Sequence, residues 1–160
     1  HGGGLHYRWI SGHFTHLGWR HSWLNLAGLI SIWIIYGRLI TFRAGLAFIV
    51  FCTLGISAGL YLFSPEIEHY VGFSGVLHGL LAFCVTVSLT DLKSKGNLPG
   101  FRSVRWEEIL VFIGLWGKVI YEQMLGAVPM TAAIAGDSVI VNAHLYGACL
   151  GTIFALLSMM

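Results

Sequence analysis

Three stretches of an otherwise apolar chain carry the residue types of acyl-transfer chemistry. Ser74 stands in Gly72-Phe73-Ser74-Gly75-Val76-Leu77-His78-Gly79, His144 follows Asn142-Ala143, and His21 and Asn25 lie four residues apart near the beginning. A serine hydroxyl is a weak nucleophile until a base takes its proton, and a histidine on a neighbouring element can supply that base and later return the proton to the leaving group. The transition state also needs donors for its oxyanion. His21 and Asn25 share one helix face by their spacing and can donate, alongside the backbone N–H of Ser74. Glu66, Glu68 and Asp137 fall in loops, and Asp91, Glu107 and Glu108 fall at the opposite surface. No carboxylate is therefore expected to orient the histidine, and the expected centre is a Ser74–His144 dyad. His78, one turn after Ser74, runs alongside it rather than facing it, so it is expected to pack against the base.

The elements that must position these residues are membrane helices. Of 160 residues, 56% are hydrophobic and only 10% charged, and the mean hydropathy is +0.77, outside the range of ordinary soluble domains. A bilayer core takes roughly 20 apolar residues per helix. The chain therefore reads as an all-α, polytopic transmembrane bundle in a single domain, residues 1–160. Five spans are expected, at about 19–37, 44–63, 72–90, 106–128 and 138–160, with residues 1–18 as a connecting segment on the outer face. The lipid bilayer is one partner. The net charge of +2, with Lys and Arg concentrated in a few loops, gives a nucleic-acid partner no support. Cys52, Cys84 and Cys149 sit in apolar runs without metal or redox spacing and read as small core residues.

Loop charges set the orientation. Arg38 and Arg43 flank the first connection, and Lys93, Lys95, Arg102 and Arg105 lie in the third, whereas the other two hold Glu66, Glu68 and Asp137. Basic loops belong in the cytoplasm. The N-terminal ends of the first, third and fifth spans then share one depth near the outer surface, and they carry His21 with Asn25, Ser74 with His78, and Asn142 with His144. Gly75xxxGly79 and Gly147xxxGly151 are small-xxx-small patterns that let membrane helices approach closely. Gly147 and Gly151 share the face of His144, and Gly75 and Gly79 flank that of Ser74. If those faces pack, Ser74 and His144 meet.

Gly72-Phe73-Ser74-Gly75, Ala143-His144xxGly147xxxGly151, and His16xxxxHis21xxxAsn25 preceded by Tyr7-Arg8 together resemble the rhomboid intramembrane serine proteases, over nearly the whole chain. The resemblance implies Ser74 as nucleophile, His144 as base, and His21 and Asn25 on the oxyanion side. It implies Gly72, Gly75, His78 and Gly147 as supporting positions, and it matches Arg8 to the arginine of the loop before the second rhomboid helix. Within that family GFSGVLHG is similar to the rhombosortase branch, with His78 where many members carry a tyrosine that stacks on the base. The resemblance to rhombosortases implies a multi-pass protein of the bacterial inner membrane with its site toward the periplasm. It implies a membrane-anchored exported substrate cut at a C-terminal GlyGly-CTERM segment, by hydrolysis or by transfer of the acyl-enzyme, without a cofactor. Rhomboids have a six-helix core, so the first helix is expected to lie upstream of His1.

Other readings are weaker. His1-Gly2-Gly3-Gly4 is similar to a lipase oxyanion loop, but the lipase elbow is GxSxG and here Val76 takes the last position. His6, His13, His16 and His21 lack a Cys or acidic partner at metal-ligand spacing, so no metal site is expected, and a folded segment at the membrane surface explains them. Lys118 and Glu122, four apart in the fourth span, read as an intrahelical ion pair or as part of a proton or ion path. The rival functions are a non-catalytic rhomboid-like binding module and an ion or proton transporter.

Overall fold

The computed structural model describes residues 8–15, 18–67, 69–95, 106–135 and 139–158. Among these the chain is helical, in the order α1 Arg8–Phe14, α2 Trp19–Tyr36, α3 Phe42–Phe63, α4 Ser74–Lys95, α5 Trp106–Leu125, α6 Pro129–Ala135 and α7 Val141–Leu157. The long helices follow the five apolar runs; α1 and α6 are short helices inside the connections. α5 stops three residues before the expected Val128 because Gly126 turns the chain at φ +83°, and Pro129 opens α6, where a missing N–H costs nothing. α4 continues past the expected Thr90 to Lys95.

Among the described residues α3 alone is long and apolar enough to cross a bilayer by itself; Ser74–Thr90 and Val141–Leu157 are shorter apolar helices. The physical reason lies in what α2 and α5 carry. Arg20, His21, Ser22 and Asn25 interrupt α2, and Glu107, Glu108, Lys118 and Glu122 interrupt α5. Much of the outer surface is nevertheless apolar, with Trp33, Ile34, Ile35, Phe63 and Leu125 exposed, as a lipid-covered surface requires.

In lipid the association of helices rests on close packing rather than on expulsion of water. Here α4 and α7 form the tightest pair. A Cβ built on Gly147 would overlap the carbonyl oxygen of Gly75 and lie 2.9 Å from its carbon, and one on Gly151 would overlap the oxygen of Gly79. In the reverse direction a Cβ on Gly75 would lie 2.8 Å from the oxygen of Ala143. The two glycine patterns interlock, as their register with Ser74 and His144 led one to expect. α3 closes the other side of α4: Cys52 and Ile56 join Val76, Leu80 and Cys84 in the main apolar cluster, and Phe48 stacks on Phe83 with ring centres 5.0 Å apart. Cys52 and Cys84 are buried free thiols, in keeping with their reading as core residues.

The connecting helix α1 is pinned from two directions. The buried His13 donates from Nε2 to Ser57 Oγ at 3.0 Å on α3, and Ser57 donates in turn to the carbonyl of Trp9 at 2.6 Å. The Gly72 N–H donates to the Gly12 carbonyl at 3.0 Å, which ties α1 to the turn just before Ser74. Burial lowers the His13 pKa from 6.5 to about 4, so the ring stays neutral in its pocket. His6 and His16 lie outside the described residues, as does the side chain of Arg8. The histidine cluster of the sequence thus resolves, at His13, into a structural anchor.

Candidate active site

Ser74 is the first residue of α4, and the geometry just before it is set by Gly72. That residue has φ +117°, a conformation that disfavours a side chain, and a Cβ there would lie 2.9 Å from the His21 ring. The N–H of Leu77 reaches the Phe73 carbonyl at 3.0 Å as the first helical bond. The N–H groups of Ser74, Gly75 and Val76 therefore have no acceptor within the helix, and they concentrate positive potential beside the hydroxyl.

His144 sits in the first turn of α7, 2% exposed. Its Nε2 is 2.9 Å from Ser74 Oγ, the contact that the glycine register implied. The other ring nitrogen departs from expectation. Nδ1 lies 2.7 Å from Glu122 Oε2, so the expectation that no carboxylate stands beside His144 is corrected. Glu122 faces the site because α5 packs against both α4 and α7, and its side chain is fully buried. Spacing along α5 gave the depth of this residue but not the direction in which it points.

Lys118, one turn earlier on α5, bonds Glu122 Oε1 at 2.7 Å and His78 Nε2 at 3.1 Å. His78 is parallel to His144, ring centres 4.0 Å apart and planes at 15°, and its Nδ1 is 2.7 Å from the carbonyl of Ser74. It stacks on His144, as expected. Ligand atoms of His78, Glu122 and His144 lie within 4.8 Å of one another, a spacing a metal ion could use. The Lys118 ammonium already bonds two of those three side chains, and its fixed charge opposes a divalent cation in the same space.

His21 and Asn25 line one cavity of about 420 Å³ together with Ser74, His78, Lys118 and His144. Asn25 is buried. The rest of the wall is largely apolar, including Leu24, Ile32, Leu77, Leu81 and Val111. Asn142, in the same polar layer of the sequence, turns elsewhere: its Nδ2 donates to Ser64 Oγ at 2.8 Å, and Ser64 also bonds the Tyr146 hydroxyl at 2.9 Å. That pair fastens α7 to the end of α3. Gly72, Gly75, His78 and Gly147 each stand against the site, the glycines by close backbone approach. Sequence reasoning missed Tyr70, whose hydroxyl would lie 3.0 Å from a Cβ on Gly75. Burial raises its phenol above the ordinary value, so the hydroxyl stays protonated.

Fold and site together define a helical bundle with a paired serine and histidine at the head of an apolar cavity. The Rhomboid domain matches residues 4–160. The chain belongs to the rhomboid family and is an integral membrane protein; the family is one of intramembrane serine proteases acting on membrane-protein substrates, and some of its members are inactive. No curated protein and no solved structure matches the chain.

Proposed function

We propose that this chain is an active intramembrane serine endopeptidase in which Ser74 is the nucleophile and His144 the base. The observation that supports this most directly is the 2.9 Å contact between Ser74 Oγ and His144 Nε2. Ser74 Oγ attacks the carbonyl carbon of the scissile bond while its proton passes to His144. The resulting oxyanion is held by the N–H of Ser74 with His21 and Asn25. Collapse breaks the C–N bond, His144 returns the proton to the departing amine, and an acyl-enzyme remains on Ser74. Water, or another nucleophile, then attacks that ester as His144 takes its proton, and Ser74 Oγ leaves with a proton restored.

The substrate is a membrane-anchored protein whose hydrophobic segment enters the apolar cavity of about 420 Å³. With His78 on the base and the GFSGVLHG sequence, the reading extends to a rhombosortase of the bacterial inner membrane. Its site opens toward the periplasm, and it removes a C-terminal GlyGly-CTERM segment from exported proteins. Spans near α2, α3, α4, α5 and α7 complete this proposal. Co-reconstitution with a GlyGly-CTERM protein, followed by mass measurement of the released soluble chain, tests it. A new C-terminus of unmodified mass indicates hydrolysis and an added group indicates transfer. An intact substrate in the presence of wild type, with turnover of other membrane segments, would remove the rhombosortase assignment.

A further inference from the structure

Five hydrogen bonds at the site form a ring that begins and ends on Ser74, and the donor in each is fixed by chemistry. A lysine ammonium has only donors and a carboxylate only acceptors. Lys118 therefore donates to Glu122 Oε1 and to His78 Nε2. A neutral His78 then carries its proton on Nδ1 and donates to the Ser74 carbonyl. Glu122 Oε2 accepts from His144 Nδ1–H, which leaves His144 Nε2 free to accept the Ser74 hydroxyl proton. The ring thus selects the one tautomer of His144 that can act as base.

We propose that Glu122 is the positioning residue of the base and that Lys118 and His78 hold it there, so that the centre is a serine–histidine–glutamate triad with a clamped carboxylate. The inference rests on the Ser74–His144 reading above. Two features argue for it. A buried carboxylate is costly unless paired, and the fully buried Glu122 side chain is paired through both oxygens at 2.7 Å. The charge also matches the reaction. When His144 takes the serine proton, the imidazolium lies beside a carboxylate at 2.7 Å, and without that carboxylate it would face the Lys118 cation across the His78 ring. Lys118 gives Glu122 a fixed orientation before the proton moves, which removes reorganisation from the step.

The test is the labelling rate of Ser74 by a fluorophosphonate in the full chain, embedded in a lipid bilayer. Wild type is compared with Glu122→Gln, Glu122→Asp, His144→Ala and the Glu122→Gln/His144→Ala pair, with thermal unfolding followed in parallel. Glu122→Gln is expected to slow labelling by on the order of 10³ to 10⁴, as loss of an orienting carboxylate does in serine triads, and Glu122→Asp to recover part of it. In the His144→Ala background Glu122→Gln is expected to change nothing, since Glu122 acts through the histidine; helix glue would cost the same in both. If Glu122→Gln unfolds because Lys118 loses its partner, Glu122→Gln/Lys118→Met removes both charges and is expected to fold and label slowly. Labelling of a folded Glu122→Gln form at the wild-type rate would overturn the inference while leaving Ser74 and His144 intact. Equal labelling of wild type and Ser74→Ala would instead overturn the protease reading itself.

Discussion

Replacing Gly147 by alanine is the sharpest perturbation of the geometry that creates the site. The added Cβ would overlap the Gly75 carbonyl oxygen, lie 2.9 Å from its carbon and lie 3.3 Å from the Gly79 nitrogen, where ordinary contacts begin near 3.4 Å. Backbone cannot yield as a flexible side chain does, so α7 must withdraw from α4 by about 1 Å. Overpacking of this kind costs about 1–3 kcal/mol. The catalytic cost is larger, because Ser74 Oγ and His144 Nε2 sit on the two separating helices at 2.9 Å, and a misplacement of about 1 Å costs about 10²-fold in rate. Fluorophosphonate labelling in bilayers should therefore slow about 100-fold while the protein stays folded by thermal unfolding. Gly114→Ala on α5, where a Cβ meets nothing within 4 Å, should leave the rate unchanged. Labelling of Gly147→Ala at the wild-type rate would refute the reasoning that the glycine interlock sets the distance between nucleophile and base.

Other consequences can be checked with the same preparation. Asn25→Ala should lower peptide cleavage by about 10² to 10³, the usual effect of removing one oxyanion donor, with little loss of stability; cleavage at the wild-type rate would make Asn25 helix glue only. His13 gives a pH dependence of a defined sign. Its folded pKa is lowered from 6.5 to about 4, so the unfolded form binds the proton first as pH falls. The stability it helps to maintain is complete above about pH 6.5 and is lost progressively toward pH 4, by roughly 3 kcal/mol at most. Hydrogen-exchange protection factors in residues 8–15 should fall across that window in wild type and not in His13→Gln.

The pairing of Ser74 with His144 was legible because it needed only depth, which the loop charges set, and register, which the glycine patterns supply. Gly75 and Gly79 meet Gly147 and Gly151 backbone to backbone, which is the packing on which that pairing depended. Glu122 shows where that kind of reasoning ends. Its depth could be counted along α5, but the face it presents depends on how α5 rotates against α4 and α7, and nothing within the helix fixes that rotation. The bond between His13 and Ser57 joins residues on two separate elements and likewise depends on docking. Asn142 shared the polar layer of the sequence, yet its side chain bonds Ser64, because a layer fixes height but not azimuth. The short helices α1 and α6 lie in the connections and lack the long apolar period by which spans are recognised.

The central claim is that Ser74 is a nucleophile activated by His144. Its most direct test is to treat the full chain in a lipid bilayer with a fluorophosphonate and map the adduct by mass spectrometry, for wild type, Ser74→Ala and His144→Ala. The account predicts a single adduct on Ser74 in wild type, none in Ser74→Ala and strongly slowed labelling in His144→Ala. Equal labelling of wild type and Ser74→Ala, or an adduct at another residue, would contradict it.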